Sequence, residues 1–105
     1  MKTGGQMETQ EKTEESDNVI YIGQKSFMAY VTSTILQFSK TDTKNVIIKA
    51  RGKFTAKAID VAEVVVRKFL KERKIVVTDV KIGSEEYTNK ENKKANVSVI
   101  EITLG

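Results

Sequence analysis

Before residue 18 the chain has almost no apolar content: Met1 and Met7 are the only large apolar side chains among Thr, Gly, Gln, Glu and Lys. So polar a segment cannot offset the entropy lost on ordering, and residues 1–17 are expected to form a disordered acidic tail ahead of one folded domain at 18–105. The pattern changes at Val19 to Ile22, a short β-branched and aromatic run closed by Gly23, which predicts a buried strand. From Lys25 onward, Phe27, Met28, Val31, Ile35 and Phe38 recur at helical spacing, while Thr32, Ser33, Thr34 and Gln37 fall mostly off that stripe. After the polar connection Thr41 to Asn45, Val46 to Lys49 predicts a second strand, and Ala50-Arg51-Gly52-Lys53 a turn. A second helix is expected from about Phe54 to Lys71, with Ala58, Ala62, Val65, Val66, Phe69 and Leu70 on one face and Arg67, Lys68 and Lys71 near the end where the dipole favours cations. Val61 and Val64 lie outside that face. A helix too apolar for one stripe has a second surface to cover, and a partner subunit is the simple candidate.

The last third predicts two long strands, roughly Lys74 to Tyr87 and Asn96 to Leu104, in which Ile100, Ile102 and Leu104 alternate with Val99, Glu101 and Thr103. Thr88 to Ala95 between them is too polar to pack, so the strands should form a hairpin arm projecting beyond the body. The order is βαβαββ. The fold class is α/β in the two-layer, α+β sense: a four-stranded mixed sheet with two helices on one face, the helices sharing that face if the first three strands are parallel neighbours.

A chain of 105 residues supports one domain. Without cysteine or histidine it cannot build a Cys/His zinc site, a disulfide framework or a His-based nucleophilic apparatus. No apolar run approaches a membrane span and the start is polar and acidic, so a soluble, cytoplasmic protein with no membrane partner is expected. The net charge of +4 averages two unlike parts: residues 1–17 carry two lysines against five acids, a net −3, which leaves 16 basic and 9 acidic residues, a net +7, in the rest. That asymmetry suggests a polyanionic partner. A solvated, lysine-rich surface meets the composition equally well, so position has to decide.

Lys49-Ala50-Arg51-Gly52-Lys53 stands where a strand ends and a helix begins, where free amides, a helix dipole and three cations outline a phosphate site. Neither a P-loop nor a GxGxxG pattern occurs in the chain. Gly23-Gln24-Lys25-Ser26 repeats the arrangement, with Ser26 placed to cap the first helix. Both turns follow the carboxyl ends of their strands, which puts Lys25, Arg51 and Lys53 on one rim of a parallel sheet. Lys90, Lys93 and Lys94 add a third basic cluster on the arm, where they either contact a polyanion or keep the loop soluble. The acids form no metal-binding cluster in sequence, and a surface ion pair with Lys57 or Arg67 accounts for Asp60 and Glu63. Tyr21, Tyr30, Tyr87 and Phe54 form no base-stacking motif of the RNP type. A non-enzymatic protein without cofactor or metal is expected.

At Ile22-Gly23-Gln24-Lys25, at Ile48-Lys49-Ala50-Arg51-Gly52-Lys53 with Lys57-Ala58-Ile59-Asp60, at Arg67-Lys68-Phe69-Leu70 and at Ile82-Gly83-Ser84, the sequence resembles the Alba family of archaeal chromatin proteins from about Asn18 onward. The resemblance implies an Alba-like dimeric βαβαββ domain that binds DNA and RNA without sequence specificity and associates with the chromosome. It further implies that Gln24, Lys25, Lys49, Arg51, Gly52 and Lys53 face the nucleic-acid backbone, that Lys90, Lys93 and Lys94 serve an arm reaching toward the minor groove, and that Phe69 joins neighbouring dimers. Val61 and Val64 complete the expected subunit contacts. Where the family commonly has Gly-Lys-Lys-Pro, this chain has Gly23-Gln24-Lys25-Ser26, so one central cation is missing. The expected function is therefore that of a dimeric architectural protein which coats, bridges and compacts duplex DNA with overlapping RNA binding; a dedicated RNA-binding role is the alternative.

Overall fold

The computed structural model describes residues 18–40, 43–69 and 73–105, Phe69 by its backbone alone. The acidic segment 1–17, Leu70, Lys71 and the side chain of Phe69 lie outside the described residues. The elements are β1 (Val19–Tyr21), α1 (Phe27–Phe38), β2 (Val46–Arg51), α2 (Thr55–Val64), β3 (Val77–Thr88) and β4 (Lys94–Leu104). Gly52–Phe54 forms a 3-10 turn ahead of α2, and Val65–Phe69 continues α2 as a π-helical turn.

The four strands form one mixed sheet in the order β1-β2-β4-β3. β1 and β2 are parallel, and β4 runs antiparallel to both of its neighbours, β2 and β3. The first three strands therefore share one direction, but they are not all neighbours as expected, because β4 inserts between β2 and β3. Its alternation explains the central place: Ile100, Ile102 and Leu104 are buried against the helices while Val99, Glu101 and Thr103 face the open side. Ile20, Ile48 and Ala50 bury the same face, so both helices cover one side of the sheet. Ala50 and Arg51 prolong β2 by pairing with Ile100 and Val99, past the turn that the sequence predicts there.

In α1 the buried positions are Tyr30, Val31, Thr34 and Phe38. Met28 turns outward, and Tyr30 and Thr34 take the core instead, Thr34 by donating its hydroxyl to the Tyr30 carbonyl at 2.8 Å. The helix ends where Arg73 Nη1 donates to the Phe38 carbonyl at 2.9 Å. In α2 the buried face is Ala58, Val61, Ala62 and Val65, spaced i, i+3, i+4, i+7. The expectation that Val61 faces a partner is thereby corrected: this side chain is 0% exposed within its own chain. Val64 is partly buried against the same core.

From Ser84–Ser98 to Thr88–Lys94 the hairpin pairs without a third strand. At about 3.3 Å per residue it extends roughly 17 Å past the last β2 pair, and it stretches the molecule to 49 × 29 × 23 Å. The arm begins nearer its tip than expected, with β4 starting at Lys94 rather than Asn96. Asn89 organises its turn: Oδ1 accepts from the amides of Glu91 and Lys93 at 2.9 and 3.0 Å, and Asn92 takes a left-handed φ of 64°.

Candidate nucleic-acid interface

Because β1, β2 and β3 run the same way, both βα turns and the hairpin tip leave the sheet at the same edge. Gln24, Lys25, Arg51 and Lys53 are exposed there, and Lys90, Lys93 and Lys94 sit at the end of the arm that rises from it. The three groups of residues therefore lie toward one edge of the sheet.

The two turns, alike in sequence, differ in chemistry. At the first, Ser26 Oγ accepts from the Ala29 amide at 3.2 Å and caps α1. The buried Tyr30 hydroxyl accepts from the amides of Gly23 and Lys25, at 2.8 and 3.1 Å. Lys57 Nζ, reaching from α2, donates to the carbonyls of the same two residues at 2.9 and 2.6 Å. The amides of Gly23 and Lys25 are therefore already engaged within the protein. The second turn is built on a glycine. Gly52 takes φ +56°, where a Cβ would meet Val97 Cγ2 at 3.1 Å, and α2 starts at Thr55 with Phe54 as an N-cap that makes no side-chain hydrogen bond. The Thr55 amide and hydroxyl both donate to the Gly52 carbonyl, the hydroxyl at 3.0 Å.

Lys49 departs from the expected rim. It lies two strand pairs inward from Arg51 on the open face, 34% exposed, with Nζ 3.7 Å from Glu101 Oε2 and 5.9 Å from the ring centre of Tyr21. Arg51 Nε is 3.4 Å from Glu85 Oε1, both side chains being more than half exposed. Lys53 Nζ stands 5.4 Å from the centre of the Phe54 ring. Tyr21 is 63% exposed beside this rim, whereas Tyr30 is buried and its hydroxyl spent on the loop, so Tyr30 is no platform for bases. Glu63 pairs with Arg67 at 2.7 Å, and the guanidinium's hydrogen bond holds the Glu63 carboxyl below the usual range. Among the described residues no three acidic side chains gather where they could hold a metal ion.

The sequence does not reveal two features. The engagement of Tyr30 and Lys57 joins two distant stretches of chain, and its one local signal is a tyrosine four residues into a helix that Ser26 caps. The second is the apolar side of β3: Val77, Val80 and Ile82 are 44%, 51% and 81% exposed on the helix-bearing face, because neither helix reaches beyond β4. Val77 and Val80, with Ile59, Ala62 and Val66 of the second helical segment, border a groove of about 370 Å³. Its signal in the sequence is the alternation within Val77 to Ile82.

Residues 18–84 match the family model described as Alba. The DNA/RNA-binding protein Alba of Methanococcus maripaludis is 41% identical over 88 residues, covering 84% of this chain and 97% of that protein. That of Methanothrix thermoacetophila is 44% identical over 89 residues, with 85% and 96% covered. Among solved structures, Alba from Thermoplasma volcanium superposes with a TM-score of 0.75 at 38% identity, over 84% of this chain and 99% of that one. ALBA1 from Trypanosoma brucei shares the fold at a TM-score of 0.60 and 22% identity, over 84% and 68%.

Proposed function

The chain belongs to the Alba family, and from that premise we propose that it is a nucleic-acid-binding, non-enzymatic protein that grips double-stranded DNA through the phosphate backbone. The observation that carries the reading is the common edge: Lys25, Arg51 and Lys53 on the body and Lys90, Lys93 and Lys94 on the arm all leave the sheet on one side. Such a surface neutralises phosphates. Nothing in it reads base edges, so binding is governed by charge and shape. Gly52 permits the left-handed turn between Arg51 and Lys53. Lys49, paired with Glu101, contributes to the local field rather than a direct contact.

A homodimer completes the reading. The uncovered apolar strip of β3, continuous with the groove along α2, is matched by a second copy of itself about a two-fold axis. The Glu63–Arg67 pair beside the groove presents both charges to such a partner. Two copies carry two rims and two arms, enough to coat duplex DNA along the chromosome and, through contacts between dimers, to bridge and compact it. Phe69 is the proposed contact there.

A dedicated RNA-binding role is the second reading, favoured by the names of the relatives, which include RNA. Binding to duplex DNA, duplex RNA and single strands across one salt series separates the two. Duplex DNA of any sequence should bind with log K falling linearly in log salt, and replacing Lys25 or Lys53 by Ala should reduce the slope by roughly 0.9 for each phosphate no longer neutralised. A consistent preference for RNA at every salt concentration makes the second reading the correct one.

A further inference from the structure

We infer that Lys57 and Tyr30 are positioning residues, a clamp that holds the Gly23–Lys25 loop in its binding conformation and sets Lys25 in fixed relation to α2; this rests on the proposed phosphate-binding role of the rim. Every backbone polar atom of Gly23 and Lys25 that faces inward has a partner in the clamp: the two amides meet the Tyr30 hydroxyl and the two carbonyls meet Lys57 Nζ. The ammonium also stands 5.1 Å from the centre of the Tyr30 ring, so cation, ring and loop form one closed unit. Gly23 allows the close approach, since a Cβ there would sit 3.3 Å from the Tyr30 hydroxyl.

Lys57 resembles one more cation of a basic surface, yet its ammonium donates to two carbonyls of its own chain. Its half-buried stem leaves α2 just after the Arg51-Gly52-Lys53 turn. Lys57 thus ties the first turn to the second and spaces Lys25 against Arg51 and Lys53. A loop ordered in advance presents Lys25 without the entropy that binding would otherwise have to offset. Lys57 consequently acts on affinity through Lys25, and Tyr30 acts the same way with no charge of its own.

The test combines exchange and binding on the full chain. Lys57→Met and Tyr30→Phe should each speed amide hydrogen exchange at Gly23 and Lys25 while the Val31 and Ile48 amides keep their protection. Each should weaken binding to a mixed-sequence DNA duplex by about tenfold, whereas Lys57→Met placed on Lys25→Ala should bind like Lys25→Ala alone, with the same salt slope. If Lys57→Met does not fold, Lys57→Gln and Tyr30→Phe carry the comparison. Unchanged exchange at Gly23 and Lys25 overturns the clamp whatever the binding result. A further, additive loss of affinity and slope on the Lys25→Ala background overturns it too, by making Lys57 a direct phosphate ligand. Lys25→Ala that binds like the wild type overturns the rim itself, a failure the exchange data keep separate.

Discussion

Arg51, the last residue of β2, reaches over β4 to Glu85 on β3, with Nε 3.4 Å from the carboxylate oxygen. The guanidinium expected to meet phosphate thus already has an anion, carried at the base of the arm. Both partners are more than half exposed, so the pair contributes little to stability, about 1 kcal/mol or less. Its cost to binding is larger, because a phosphate has to displace Glu85 and then lie beside its charge. Glu85→Gln should tighten binding to every duplex sequence and steepen the salt dependence, with a melting temperature close to that of the wild type. A titration series between low and moderate salt checks this; unchanged affinity would mean that Arg51 does not leave Glu85 on binding.

The surface proposed for a second subunit lies elsewhere than the helical pattern suggests. Ala58, Ala62, Val65 and Val66 alone make a plausible stripe that leaves Val61 outside the core, yet helical geometry brings Val61 onto the buried side with Ala58 and Val65. Val61→Ala should lower stability by roughly 1–3 kcal/mol through reduced burial and a residual cavity, without altering subunit association at equal folded concentration. Ile82→Asp should do the reverse, keeping the fold and yielding monomers in sedimentation at micromolar concentration. A dimeric Ile82→Asp protein would remove β3 from the interface.

Most of the architecture is legible in the sequence because it rests on local periodicity. Ile100, Ile102 and Leu104 announce a half-buried strand, Gly23 and Gly52 announce turns, and Ser26 announces a cap that is present. What is not legible depends on partners distant in sequence. The insertion of β4 between β2 and β3 leaves Ile82 uncovered, and that order cannot be read from either strand by itself. Lys49, Arg51 and Lys57 look equivalent as cations in sequence; the structure gives Glu101 to the first, Glu85 to the second and two loop carbonyls to the third. The basic string therefore locates the candidate site but cannot rank its members.

Gln24 is exposed in the clamped loop beside Lys25. Gln24→Lys adds a cation to a backbone already held in place, and it should increase affinity for all duplex sequences by a similar factor. The salt slope should grow by up to roughly 0.9 per subunit. A gain confined to one sequence would show that this turn faces bases rather than phosphates.

With no histidine in the chain, no side chain has its ordinary pKa between about pH 5.5 and 7.5, and affinity and stability should be nearly flat across that interval. Glu63 sets a different expectation in acid. Its carboxyl is held low, first by the Arg67 hydrogen bond and then by the charges of Arg67 and Lys68. Its contribution is complete above the ordinary carboxylate pKa and disappears as pH falls through the lowered one. The difference in melting temperature between wild type and Arg67→Gln should accordingly be constant near neutrality and shrink only below the ordinary carboxylate range. A difference that changes between about pH 6 and 7 would contradict this assignment.

The arm separates charge from shape. Lys90 and Lys93 sit in a turn that Asn89 orders through two amides, and Lys94 opens β4 opposite Thr88, so all three cations are presented on an ordered tip rather than a loose loop. An ordered tip roughly 17 Å past the body can follow a groove, and the fit then depends on groove width. Replacing Lys90, Lys93 and Lys94 together by Ala should weaken duplex binding, lower the salt slope and reduce any preference between DNA, with its narrow minor groove, and RNA, whose minor groove is wide and shallow. Asn89→Ala keeps every charge but removes the acceptor that shapes the turn. It should leave most of the slope and still reduce the DNA-to-RNA ratio, because only the placement of the cations has changed. A triple variant with wild-type affinity, slope and ratio would assign these lysines to solubility alone and confine the interface to Lys25, Arg51 and Lys53.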